Sequence, residues 1–553
     1  MTEMSGRAQK QRGPERSAAG PVNAALLALA CVLALALALR IVGLFWGLPN
    51  DRRFFSFHPD EAPILLPVSN ILTANDWNPH FFNYGTFYIY LVTIAATLSG
   101  LQGGWSDWAA LHLVARVVSA LFGTATVLVV YLIGKEMAGA WTGVLAALVL
   151  AVMPMHVVHS HYATVDAVAT FFLALALWAM VRLTEECHPI WYAIAGAAVG
   201  LGAATKYSAG VAFLPIILGH LTARGTSRMP HPPARFLLIS AAAAALFFWV
   251  ACPYVFMSKG GLVRLNPEFL RDAGFEMRHM RGGGTFAFVN TGSGWAYHLM
   301  HSLPAGLGYC LVIFALAGLF FLPRAHGPGA LVTLGFAALY FGIIGAAQER
   351  FLRYTLLLAP IFALSCAALV TQVAAMGRRW RAASVALALA AVVPTFLYSL
   401  GQVQLMSRPD VREKSGRWLK GLLPGNRLGM VYTPWYFTPE VIPYNGGERT
   451  RALFERWLRD APFRVVITGW EARRLGSSKP DFFAISDEEY MHPVRIDLPG
   501  ARDFMSALER HYEQRKVFAV RPMFAQLGPS KARCPPDWLY TWPRIEIYSG
   551  WRG

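Results

Sequence analysis

Charge is scarce in this chain: only 15% of its 553 residues are Asp, Glu, Lys or Arg, against about 25% in an ordinary soluble protein. That excludes a soluble globular protein of this length. Cysteine is scarce too, with six in all, five of them in or beside apolar runs. Cys534 stands alone in the C-terminal region, which therefore forms no internal disulfide. No glycine-rich loop of the phosphate-cradling kind sits in a polar domain, so no nucleotide site is expected. No internal repeat is evident. Arginine and aromatic residues do not interleave, so nucleic acid is not an expected partner.

What is abundant is apolar sequence: 55% of residues are hydrophobic and the mean hydropathy is +0.40. Runs of about 20 apolar residues, each long enough for a hydrocarbon core of about 30 Å, recur along the chain. Candidate spans fall at 22–46, 110–134, 140–160, 166–184, 190–205, 208–221, 235–253, 303–322, 329–345, 354–375 and 382–402. The stretch "YGTFYIYLVTIAATLSGL" (84–101) is apolar but short. Lys and Arg outnumber Asp and Glu by 49 to 32, a net +17. The basic segments at the N-terminus, at 222–235 and at 377–381 share the cytoplasmic side only if 84–101 does not cross. That segment then lies along the membrane within one external loop, about 47–109.

The expected architecture is an all-α polytopic membrane protein with a small C-terminal α/β external domain. Residues 1–20 read as a disordered basic cytoplasmic tail, 21–402 as the transmembrane module and 403–553 as the external domain. Within the last, "RLGMVYT", "FRVVIT", "KVFAV" and "RIEIYS" read as strands. "ERTRALFERWLRD" and "ARDFMSALERHYEQR" read as amphipathic helices. The protein is expected in the plasma (inner) membrane, with its N-terminus inside and its C-terminal domain periplasmic or extracellular.

Several residues could carry chemistry, each beside a plainer role. Asp60 and Glu61 follow the first span in "FSFHPDEAPILLPVSN". Asp60 either caps a short helix through about residue 73 or serves as a carboxylate base just above the bilayer. Asp166, in "HSHYATVDAVATFF", either favours a helix N-terminus capped by Thr164 or belongs to a site. His156, His159 and His161 precede it; a metal held by His159 and His161 with Asp166 is one alternative, interfacial hydrogen bonding the other. Lys206 in "GLGAATKYSAGV" either snorkels or binds a phosphate, with Gly200 and Gly202 allowing close packing. Arg350 and Arg353 in "QERFLRYTLLLAP" pose the same choice, and the guanidinium fork suits phosphate. The loop 76–90 is crowded with aromatic residues, as an interfacial belt or as walls for a sugar ring or prenyl chain.

Together "HPDE", "NPHFFNYGTFYIYL", "HYATVDAVATFF", "GLGAATKYSAG" and "RFLRYTLLLAP" resemble, in order, the GT-C membrane glycosyltransferases. The specific likeness is to the dolichyl-phosphate-mannose–protein mannosyltransferase-like group (glycosyltransferase family 39), with the lipid A aminoarabinose transferases as cousins. The resemblance covers roughly residues 20–400. It implies Asp60 and Glu61 as the catalytic acidic motif, Asp166 as the second acid, and Lys206 with Arg350 or Arg353 on the lipid phosphate. His58, His80, Tyr84, His161 and Tyr354 would line the substrate. Two departures stand out. His159 and His161 occupy the region where relatives often carry an arginine, and residues 76–90 lack the lysine of the aminoarabinose branch.

The expected function is transfer of a sugar from a polyprenyl phosphate to an acceptor hydroxyl on protein, lipid or glycan, with inversion. It would take place at the external face, among membrane lipids. No cofactor is required by the sequence, with a divalent metal left as an alternative. The rival is a secondary transporter or lipid flippase, whose signature would be mid-span charges and paired repeats.

Overall fold

A computed structural model describes residues 21–50, 52–223, 231–259, 262–282, 285–325, 327–441 and 461–552. The expected helix over 448–460 lies outside these. The molecule is a helical multi-span membrane protein. Among the described residues six helices are long and apolar enough to cross a bilayer, or seven if the bent pair Gly294–Leu307 and Tyr309–Leu319 counts as one span. Five more apolar helices are shorter. The expected spans map onto these helices with three differences.

The first helix ends at Ile41, short of Trp46. The run 140–160 breaks after Ala151, and a short turn of helix, Pro154–His159, follows. Pro154 has no N–H to continue the ladder and biases the residue before it away from helix. The buried Arg40 guanidinium takes up a carbonyl freed at the break, donating to Ala151 at 3.1 Å. The run 303–322 is bent by 118° around Gly308, whose φ of +78° suits glycine.

The short apolar stretch 84–101 forms the helix Phe87–Leu98, 12 residues long, which rises only about 18 Å. It packs with Glu61–Ala74 and the long helix Trp108–Ala138 around Ile64, Val68, Tyr88 and Leu111. Gly85 lets the chain before this helix close on Ala204, since a Cβ there would overlap the Ala204 carbonyl. Gly200 does the same against Ala244, so helices Pro189–Thr205 and Arg235–Ala251 pack backbone to backbone. These close approaches hold the loop 82–86 against the end of the helix that precedes Lys206.

After the last long helix, Arg381–Met406, the chain forms a five-stranded mixed sheet. Its order is Arg464–Ile467, Arg427–Met430, Phe482–Ser486, Arg544–Trp551, Tyr512–Ala519. The first two pairings are parallel and the last two antiparallel. All four expected strands are present. Phe482–Ser486 is an additional, central one. Helix Ala501–His511 stops earlier than expected because Tyr512 to Arg515 join the edge strand. The sheet domain docks on the helices through buried groups: Trp46 donates to Asp410 at 3.1 Å, and Trp538 to Tyr398 at 3.2 Å.

Candidate functional site

Asp60 occupies the N-cap position of Glu61–Ala74, yet its side chain makes no capping bond. It faces Arg353 instead, as an ion pair. The expected helix does begin directly after Asp60, but the side-chain capping bond is absent. Thr164 likewise does not cap the helix that starts at Asp166: its buried hydroxyl has no partner among the described residues. Asp166 instead accepts from Lys206, Nζ to Oδ1 at 2.7 Å.

Lys206 does not snorkel. It is 8% exposed and lies over the Tyr354 ring, 5.4 Å from its centroid, within cation–π range. The backbone turns out of the helix at this residue, with φ −144° and ψ 116°, which swings the ammonium toward Asp166. Asp60, Tyr84, Lys206, Arg353 and Tyr354 line one cavity of about 720 Å³. Apolar side chains line it too, Phe269, Met277 and Met280 from helix Pro267–Met280 and Ile343 and Ile344 from helix Gly327–Ala346, with Glu276, His279 and Arg281 beside them. Five charged or polar groups expected from distant parts of the sequence thus share a cavity with apolar side chains.

Glu61 is turned away from that cavity, because adjacent helical residues point about 100° apart. It is fully buried and bidentate with Arg116, at 2.8 and 2.7 Å. Its Oε1 also accepts from the Ala163 N–H at 2.8 Å. Arg116 in turn donates to the Leu44 and Trp46 carbonyls. One ion pair therefore ties the end of the first span, the Asp60 turn and the chain entering Asp166. Burial pushes the Glu61 carboxyl up, but Arg116 overrides it and holds the group at about 2. Glu61 is a positioning residue in this geometry, and Arg116 is a participant that the motifs did not mark. An arginine inside the long apolar run was the available signal.

The remaining expected residues divide. His58 is 2% exposed and packs between Tyr162 and Tyr540, with centroids at 4.2 and 5.0 Å; burial pushes its pKa down. His80 is on the surface, paired with Asp76 and Glu268, and does not line the cavity. His161 hydrogen-bonds the Val42 and Val157 carbonyls, which occupies both ring nitrogens. Arg350 bonds Thr291 and faces Tyr297, apart from the cavity. His156 bonds Arg40 at 2.7 Å. Among the described residues no group of His, Cys, Asp or Glu could hold a metal ion, so the His159 and His161 alternative loses its geometric basis.

Asp537, from the C-terminal domain, is the other participant without a motif. Its carboxylate accepts the Leu352 and Arg353 N–H groups, both at 3.0 Å, and fixes the turn that carries Arg353.

Residues 89–251 match the model of the family described as Dolichyl-phosphate-mannose-protein mannosyltransferase. YkcB of Bacillus subtilis is 32% identical over 122 residues, 22% of this chain and 16% of that protein. The dolichyl-monophosphooligosaccharide–protein glycotransferase AglB of Haloferax volcanii is 35% identical over 118 residues, 20% of this chain and 11% of that one. The matches thus span well under a fifth of either relative's length. In fold, the chain is similar to ArnT from Cupriavidus metallidurans in the apo state, with TM-score 0.50 and 15% identity over 95% of this chain and 98% of that one. The family match over residues 89–251 runs from within helix Phe87–Leu98 to past Lys206, and the likeness in fold extends over most of the chain.

Proposed function

We propose that this protein is a membrane glycosyltransferase that moves a sugar from a polyprenyl phosphate to an acceptor hydroxyl at the external face, with inversion. One observation carries the proposal: Asp60, Lys206 and Arg353, from three distant parts of the chain, line a single cavity together with a set of apolar side chains. The cations suit a lipid phosphate, the apolar side chains suit its prenyl chain, and the acid suits an attacking hydroxyl.

In this proposal Asp60 accepts the acceptor's proton as its oxygen attacks the anomeric carbon. The bond from that carbon to the phosphate oxygen breaks on the opposite face. Lys206 and Arg353 take up the charge left on the polyprenyl phosphate, and stabilisation of this kind is often the largest catalytic contribution. In this structure each cation is paired with an acid, Arg353 with Asp60 and Lys206 with Asp166. An arriving phosphate competes for both cations. Drawing Arg353 away leaves Asp60 able to act as a base, so donor binding prepares the acid for the acceptor.

The test is incubation of the purified protein in lipid nanodiscs with radiolabelled polyprenyl-phosphate sugars and membrane extract. Label moving from lipid to a new product is the expected result. Stable donor binding with no transfer across a panel of sugars and acceptors would sink the proposal.

A further inference from the structure

A second cavity, of about 410 Å³, lies between the C-terminal domain and the loop of the membrane module at Thr285 to Ala287. Volumes of this size suit small ligands. Its wall is aromatic: Tyr432, Trp435, Tyr436 and Phe437 come from one short stretch of chain, and the Trp435, Tyr436 and Phe437 rings lie within 6.4 Å of one another. Its polar side is Glu488, Glu489 and His492. Glu489 is 4% exposed. Its Oε2 closes a capping box with Ser486, while its Oε1 has no partner among the described residues. Glu488 Oε1 and His492 Nδ1 are also buried without partners there.

Buried polar atoms left unpaired are costly, and three of them on residues that line one aromatic cavity point to a ligand that supplies hydrogen bonds. The chemistry selects the ligand. Burial pushes the Glu488 and Glu489 carboxyls up to about 7 and about 8, and pushes His492 down to about 4. Near neutrality His492 is therefore a neutral imidazole, Glu489 is mostly protonated and Glu488 is near its midpoint, so the cavity carries little charge and both donates and accepts. An ionic ligand gains little there. A ring with an apolar face and several hydroxyls matches both walls, since aromatic groups present a flat apolar body to it.

We propose that this cavity is a saccharide-binding subsite that takes a neutral hexose unit of a glycan acceptor. The site is linked to the donor cavity by packed rings. Tyr436 meets Tyr540 at 5.4 Å between centroids, and Tyr540 meets His58, two residues before Asp60, at 5.0 Å. The role as an acceptor subsite rests on the transfer proposed above, but the binding does not.

Binding is therefore measured without turnover. The full chain in nanodiscs at neutral pH is examined by saturation-transfer NMR with maltotriose, cellotriose and mannotriose, each separately, and with tetramethylammonium. At least one trisaccharide should receive saturation. Trp435→Ala should weaken that binding about ten-fold and Glu488→Ala should weaken it as well. Trp435→Phe, which keeps a ring face, should retain it and shows that the site tolerates replacement. The proposal is overturned if no trisaccharide binds the unaltered protein. It is equally overturned if binding is unchanged in both alanine variants, or if tetramethylammonium binds where no sugar does. Saccharide binding in a protein that transfers nothing would leave the subsite standing and remove the enzymatic role.

Discussion

Lys206 Nζ stands 2.7 Å from Asp166 Oδ1, with both side chains buried and the two residues 40 positions apart in sequence. Removing one partner of such a pair leaves an uncompensated charge and costs about 3–5 kcal/mol. Lys206→Ala should therefore lower thermal stability and weaken donor binding together. Adding Asp166→Asn should restore the melting temperature and leave donor binding weak. If the double variant regains full donor affinity, the ammonium does not hold the phosphate.

Asp60→Asn keeps the side chain's shape and removes its charge. Transfer should fall by about 10²–10⁴-fold, the range for losing a general base. Donor binding, read by titration with an unreactive polyprenyl phosphate, should persist because Lys206 and Arg353 remain. Near-normal turnover in this variant would exclude Asp60 as the base.

Glu61 should behave differently from its neighbour. Glu61→Gln breaks the pair with Arg116 and should destabilise the fold by about 3–5 kcal/mol; pairing it with Arg116→Met should recover part of that loss. Its carboxyl sits at about 2 in the folded protein against an ordinary 4.5, so it contributes about 3 kcal/mol. That contribution is fully present above pH 4.5 and is lost as pH falls toward 2. Melting curves between pH 6 and pH 3 should show the decline in the unaltered protein and not in the double variant.

Asp537→Ala removes the acceptor for the buried Leu352 N–H, worth about 1–3 kcal/mol when left unsatisfied, and for the part-buried N–H of Arg353 itself. With the arginine turn loosened, KM for the donor should rise more than kcat falls. A purely structural role would instead lower the amount of active enzyme and leave KM alone.

Orientation has its own test. A periplasm-active phosphatase fused after residue 105 or after residue 410 should be active, and one fused after residue 228 should be silent. Activity after 228 would mean that 84–101 crosses and that the expected external face is divided.

The apolar runs by themselves determined that this is a helical multi-span membrane protein, because only an internally bonded helix or a closed barrel satisfies the backbone in lipid. Local pattern likewise marked the strands at 427, 464 and 544, and residue type marked Asp60, Asp166, Lys206 and Arg353. Tertiary structure decided what each of these does. Glu61 reads like Asp60 in sequence, and only the helical rotation and the position of Arg116 separate them. Asp537 lies 184 residues from Arg353 and nothing local links the two. The aromatic stretch at Tyr432 to Phe437 gained its polar wall only when helix Asp487–Arg495 packed beside it. Periodicity is a property of neighbours along the chain, whereas a site is made by groups that burial and charge pairing bring together from far apart.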